Sequence, residues 1–222
     1  MPETLNETRD EFLLAALPHV AFDGWTIKAM RAGAVELGRD PHDAERAFPG
    51  GPIDMIAHFT DLSDRRMVAA TAKADHASMP TSERVVFAVR TRLEGNAPHR
   101  EIIRRALSVL ALPQNTALGV KLCYETVNII WYALDDASMD FSYYTKRASL
   151  AAVYAATVLY WLNDDSPGFA DTWRFLDRRI AEVMQIPKAM GRLGEAFEHL
   201  PDPLRSVRSF SGKCPGGSGG FR

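Results

Sequence analysis

Along almost the whole chain, apolar residues recur every three or four positions, and nowhere does a strict apolar–polar alternation persist. That period belongs to the α-helix, so the sequence predicts an all-α fold. Glycine and proline cut the pattern into helices. Phe12, Leu13, Ala16 and Leu17 form the first stripe, and Pro18 is expected to end it. Thr26 is placed to cap a second helix that runs to Leu37 and stops at Gly38. A third, short helix covers Pro41 to Phe48, and the turn at 49–52 hands over to a fourth from Ile53. Such a succession suggests a helix-turn-helix unit.

Beyond a more polar stretch from Thr71 to Met79, Ser82 is expected to cap a helix that Asn96-Ala97-Pro98 breaks. A helix from His99 to Leu112 follows. Asn115 then opens a long one to about Asp136, apolar nearly all round through Leu118, Val120, Leu122, Val127, Ile130, Trp131 and Leu134. A helix of that kind is expected to be central and covered on all sides. Phe141 to Leu162 forms the next, and Ser166-Pro167 starts another with the stripe Phe169, Trp173, Leu176, Ile180 and Met184. A last amphipathic helix is read over 187–200, carrying Met190, Leu193, Phe197 and Leu200. The Gly- and Pro-rich tail 201–222 reads as disordered, and the start, 1–8, as a flexible N-terminus. The domains expected are therefore 9–75 and 80–186, followed by the 187–200 helix and the tail.

Composition narrows the function. Net charge is −2, whereas a protein living on nucleic acid usually carries a basic excess. The longest apolar run, Leu150 to Leu162, is thirteen residues and falls short of the roughly 20 needed to span a bilayer. Any membrane contact is therefore expected to be peripheral. Cys123 and Cys214 have no metal-type spacing, and none of the six histidines sits in HExxH or ExxH, so no metal or cofactor is expected. Gly216 to Gly220 matches GxSxG in letters, but only two residues follow it where a helix would be required. No catalytic constellation emerges, and the expectation is a protein that is not an enzyme.

Residues 26–59 resemble the TetR-family helix-turn-helix: Thr26, an amphipathic helix, Gly38, a short helix ending in Phe48, then Ile56 and Phe59. In that family a tyrosine three residues before the phenylalanine grips a phosphate, and a lysine follows the turn. Here Glu45 stands at the first position and Gly50-Gly51-Pro52 at the second. Arg39 to Arg46 sets two arginines against Asp40, Asp43 and Glu45, and acids facing phosphates repel. The expectation is the scaffold without the DNA-reading surface, and no nucleic acid as partner. A small-molecule-responsive TetR-type repressor is the alternative.

A more specific resemblance covers Arg9 to Met184. Leu17–Thr26 (LPHVAFDGWT), Arg105–Asn115 (RALSVLALPQN), Asp140–Tyr154 (DFSYYTKRASLAAVY) and Asp164–Ile180 (DDSPGFADTWRFLDRRI) are similar to the lipid-binding accessory family of ubiquinone biosynthesis. What this implies is a TetR-like fold whose larger helical part dimerises and binds an isoprenoid lipid or phospholipid. It also implies partnership with the di-iron hydroxylase of demethoxyubiquinone, or another ubiquinone-pathway enzyme, at a membrane surface. The family's lipid-headgroup arginine maps to Arg147, with Leu118, Leu122 and Val127 as expected lipid-lining residues. Its partner patch maps to Asp140, Tyr143 and Tyr144, with Ile130 and Trp131. Membrane contact is expected from Met190, Leu193, Phe197 and Leu200, helped by the basic tail residues Arg205, Arg208, Lys213 and Arg222. Eukaryotic members act in mitochondria. The first residues here lack a transit pattern, so the expectation is a bacterial, cytoplasmic protein peripheral at the inner membrane.

Overall fold

The computed structural model describes residues 5–74, 79–133 and 141–183, with 141–146 described as backbone only. Among the described residues all regular structure is helical: α1 (Leu5–Asp23), α2 (Ile27–Glu36), α3 (Pro41–Ala47), α4 (Pro52–Thr71), α5 (Thr81–Gly95), α6 (Arg100–Leu110), α7 (Thr116–Ala133) and α8 (Phe141–Leu162). A ninth helix, α9, is described over 170–183.

The local signals that fix α2 are where the sequence puts them. The Thr26 hydroxyl accepts the Ala29 N–H at 3.2 Å, and Gly38 takes a φ of +68°, open to glycine at little cost. Asp40 caps α3 by accepting the His42 N–H at 2.8 Å. Around these helices a core forms from Phe12, Leu13, Leu17, Trp25, Met30 and Phe48, closed from below by Ile56 and Phe59 of α4.

Three expectations are corrected. Pro18 does not end the first helix, which runs on to Asp23. The buried stripe continues past it through Val20, while Pro18 itself is exposed, on a side where a carbonyl without its N–H partner can turn to water. Packing against α2 outweighs the proline penalty there. Ser82 is not a cap, because α5 begins one residue earlier at Thr81, with Pro80 entering in extended conformation. Finally, α7 is not covered on all sides. It buries Leu122, Thr126, Val127, Ile130 and Trp131, but Val120, Tyr124 and Tyr132 are exposed. Lys121 and Glu125 share that outer surface, paired at 3.6 Å. Smaller differences concern ends: a 3₁₀ turn takes Ala97–His99, so α6 starts at Arg100, and α7 starts at Thr116.

Residues 75–78 lie outside the described residues, yet the boundary expected there does not divide the core. Through Val183 the chain is one compact unit. Ile102, Ala106 and Leu122 belong to the same apolar cluster as Phe12 and Trp25, and the Trp25 indole N–H donates to the Ile102 carbonyl at 3.1 Å. Arginines of α6 then anchor the end of α8. Arg100 donates to the carbonyls of Trp161, Leu162 and Asp164 at 2.8–2.9 Å, and Arg104 donates to Leu162. Trp161 and Leu162 lie in the last turn of α8, where carbonyls run out of helical N–H partners, and cations suit that end of the dipole.

The α8–α9 corner turns on Asp164. Its Oδ1 accepts the Ser166 N–H at 2.8 Å, and its Oδ2 accepts the Thr172 N–H at 2.8 Å and hydroxyl at 2.6 Å. Burial pushes this carboxyl up, but the bonds from Ser166 and Thr172 win and hold it well below the usual carboxylate range. A depressed folded-state pKa contributes stability that is present above the unfolded value, near pH 4, and lost as pH falls. Asp164→Ala should therefore cost about 2 kcal/mol at pH 7. In urea titrations the gap between variant and wild type should narrow progressively as pH falls from about 5 to about 1, and a gap unchanged with pH would contradict this assignment.

Candidate functional site

The clearest cluster of unusual side chains lies on α7 and α8. Arg147, in the second turn of α8, is buried rather than paired on the surface. Its Nε donates to Asn128 Oδ1 at 2.8 Å, and its guanidinium carbon lies 5.8 Å from the centre of the Tyr132 ring. Asn128 and Tyr132 are one turn apart on α7, so a single helix face offers both an amide acceptor and an aromatic ring to one cation. The sequence singled out Arg147 but neither α7 partner. An asparagine and a tyrosine four apart on α7 are the only trace they leave.

The other expected residues are distributed differently. Val127 and Leu122 are buried in the core, and Leu118 packs half-buried against the cluster that includes Phe12 and Trp25. None of the three lines either cavity described below. Ile130 and Trp131, expected in the partner patch, are 0% and 2% exposed. They are core residues, and the exposed aromatic of that turn is Tyr132. Tyr143 and Tyr144 lie in the first turn of α8, described as backbone, with Tyr143 one turn before Arg147. Asp140 and the four expected membrane-contact residues, Met190, Leu193, Phe197 and Leu200, lie outside the described residues, as does the 201–222 tail.

A buried polar network that sequence reading missed crosses four helices. Arg92 of α5 donates from Nε to Asp64 Oδ1 of α4 at 2.6 Å and from Nη1 to the Tyr154 hydroxyl of α8 at 2.6 Å. Thr126 of α7 donates to Asp64 Oδ2 at 2.9 Å. Burial pushes the Asp64 carboxyl up against the pull of Arg92, and pushes Tyr154 up to about 12. At neutral pH the phenol therefore stays protonated.

Two cavities open on the surface. One, about 280 Å³, lies along α4, with Val68, Ala69 and Ala72 on one wall, Ile129 of α7 on the other, and Asp61, Asp64 and Arg65 at one end. The second, about 520 Å³, is bordered by Tyr160 and the charged residues Asp171, Arg174, Asp177 and Arg178. Among the described residues no group of three or more His, Cys, Asp or Glu side chains could hold a metal ion. Among them, too, no helix is long and apolar enough to cross a membrane.

On the N-terminal unit, α3 presents a neutralised surface. Glu45 is bound by Arg31 at 2.6 Å and lies 3.3 Å from His42, while Arg46 pairs with Asp43. Arg39, just ahead of the helix, reaches back to Glu11 at 2.8 Å. Of the acids anticipated as phosphate-repelling, Asp43 and Glu45 are thus engaged by arginines of the same unit, while Asp40 accepts the His42 N–H.

A three-helix N-terminal unit continued by a larger helical body defines a TetR-like all-α protein. A solved TetR transcriptional regulator from Nitrosomonas europaea superposes with a TM-score of 0.65, at 20% identity, over 80% of this chain and 98% of its own. The sequence goes further. The COQ9 family model matches residues 116–187, from the start of α7 onward. The chain is 34% identical over 205 residues to the human "Ubiquinone biosynthesis protein COQ9, mitochondrial", covering 88% of this chain and 64% of the human one. It is 33% identical over 196 residues to the Schizosaccharomyces pombe protein of the same description, covering 87% and 76%. The rat protein is 35% identical over 207 residues, covering 88% and 65%. The chain belongs to the COQ9 family, and it spans just under two thirds of the length of its rat and human relatives.

Proposed function

We propose that this chain is a non-enzymatic, lipid-binding accessory protein of ubiquinone biosynthesis. In this reading it binds an isoprenoid lipid or phospholipid, works as a homodimer at a membrane surface, and presents a quinone intermediate to the demethoxyubiquinone hydroxylase or another enzyme of the pathway. The observation that carries the reading is kinship along 87–88% of the chain with proteins named for ubiquinone biosynthesis. The physical need is clear, since exposing a long isoprenoid tail to water costs about 0.8 kcal/mol per CH₂. Organic extraction of the purified chain, followed by mass spectrometry, tests lipid binding. A stoichiometric isoprenoid or phospholipid is expected, and an extract free of both would contradict it.

The partner surface in this reading is the start of α8. Replacing Tyr143 and Tyr144 with Ala is expected to weaken capture of the hydroxylase at least tenfold while leaving helical content and melting unchanged. If the double variant unfolds instead, the two tyrosines are core and the patch is misplaced. DNA recognition is not part of the reading, and the ion pairs across Arg31, Glu45, Asp43 and Arg46 support that. Selection from random duplexes at low salt should enrich nothing, and an enriched palindrome would favour the repressor alternative.

A further inference from the structure

We propose that His58 and Asp10 form a proton-sensitive latch, which fastens α1 to α4 at neutral pH and loosens as the pH falls. The inference stands apart from the lipid-binding reading. Its first ground is geometry. His58 is buried on α4, and its Nε2 lies 2.6 Å from Oδ1 of Asp10 on α1. Arg65 of α4 grips the same carboxylate, donating to its two oxygens at 2.6 and 3.0 Å. The neighbouring Arg9 donates to Asp54 of α4 at 2.5 Å. Two adjacent residues of α1 are thus tied to three positions of α4. Phe48, just after α3, closes the site. Its ring meets the His58 ring edge-on, 5.6 Å between centres, and the Arg9 guanidinium lies 4.8 Å from its centre.

The second ground is the charge around the imidazole. Burial pushes the Asp10 carboxyl up, but the bonds from Arg65 and His58 win and hold it below the usual carboxylate range. An ionised carboxylate only accepts, so Nε2 of His58 carries the proton and a second proton must go to Nδ1. The charged groups that face the ring are Arg9 and Asp10 from α1 and Asp61 from α4, with Arg65 on the far side of Asp10 and Asp54 behind Arg9. The acids among them are already engaged, Asp54 by Arg9 and both Asp10 and Asp61 by Arg65. An imidazolium would be a third cation there, in a site closed to water. Burial is the largest influence on the ring and, with the charge of Arg9, outweighs the pull of Asp10 and Asp61, so His58 is held below its ordinary range. The unfolded chain then takes the proton more readily than the folded one. Stability is lost as pH falls from about 6.5 through the folded value. The protonated ring and Arg65 compete for one carboxylate, and the load falls on the α1–α4 contact. Asp61 and Arg65 also border the cavity along α4, so the latch sets the charge beside it.

Amide hydrogen exchange of the full chain, corrected for the intrinsic rate at each pH, tests this. Protection across α1 should fall at least about threefold between about pH 7.5 and about pH 5. His58→Gln keeps a neutral, hydrogen-bonding side chain that does not titrate, and in it the fall should disappear. His99→Gln removes the other half-buried histidine of this region, beside Phe59, and should leave the fall in place. A proton NMR titration of His58 in the wild type decides the matter even if His58→Gln does not fold. Its midpoint should lie below the ordinary value of about 6.5. A midpoint at or above that value would overturn the proposal. So would protection of α1 that does not change with pH, or a fall that survives in His58→Gln or vanishes in His99→Gln.

Discussion

Arg92→Leu should destabilise the protein by about 3–5 kcal/mol, the cost of leaving one member of a buried ion pair without its partner. Arg92 is 8% exposed and Asp64 2% exposed. Removing the guanidinium strands a carboxylate among α4, α5, α7 and α8, with only the Thr126 hydroxyl to answer it. It also leaves the Tyr154 hydroxyl without the donor seen at 2.6 Å. The double variant Asp64→Leu/Arg92→Leu should recover most of the loss, because an apolar pair of similar bulk needs no solvation. Denaturant titrations of both single variants and the double variant read the coupling directly. If the losses simply add, the two charges do not depend on each other and the network is not what joins these helices.

The second large effect reverses a rule of thumb. Gly33 lies inside α2, where replacing glycine by alanine ordinarily stabilises by about 1 kcal/mol. Here a Cβ at Gly33 would stand 2.7 Å from the backbone nitrogen of Ala16 and 2.8 Å from its Cα. Backbone cannot swing aside as a side chain can, so α1 and α2 must move apart. Overpacking of this kind costs about 1–3 kcal/mol, enough to overcome the propensity gain. Gly33→Ala should thus lower stability by about 1–2 kcal/mol and Gly33→Val by more. Adding Ala16→Gly should not rescue either, since the closest atoms are main chain. A higher melting temperature for Gly33→Ala would show that the two helices have room to separate.

What the sequence made legible was local chemistry. The Thr26 cap, the Gly38 stop and the short helix ending at Phe48 each involve neighbours within a few residues, and each is where the pattern put it; Ser166-Pro167 opens a 3₁₀ turn instead, with Gly168 and Phe169 at positive φ, and α9 begins only at residue 170. Pro18 was misread because the force that carries α1 past it comes from another helix. The outer face of α7 was misread because an apolar residue such as Val120 carries no mark of which side its neighbours lie on. The Asp64–Arg92–Tyr154 network left no trace in the sequence at all, since its members are 28 and 62 residues apart. In the candidate site, Arg147 was singled out by resemblance. Its burial, and its partners Asn128 and Tyr132, depend on the antiparallel return of α8 along α7. Ile130 and Trp131 shared a stretch with those partners but point inward.

If this chain helps an enzyme of ubiquinone biosynthesis, as we propose, its loss should change the quinone pool of its host. Deleting its gene in the host and quantifying ubiquinone and its precursors by mass spectrometry tests that most directly. Ubiquinone should fall several-fold while demethoxyubiquinone accumulates, and the intact gene supplied in trans should restore both. Ubiquinone and precursor levels indistinguishable from the parent strain would contradict it.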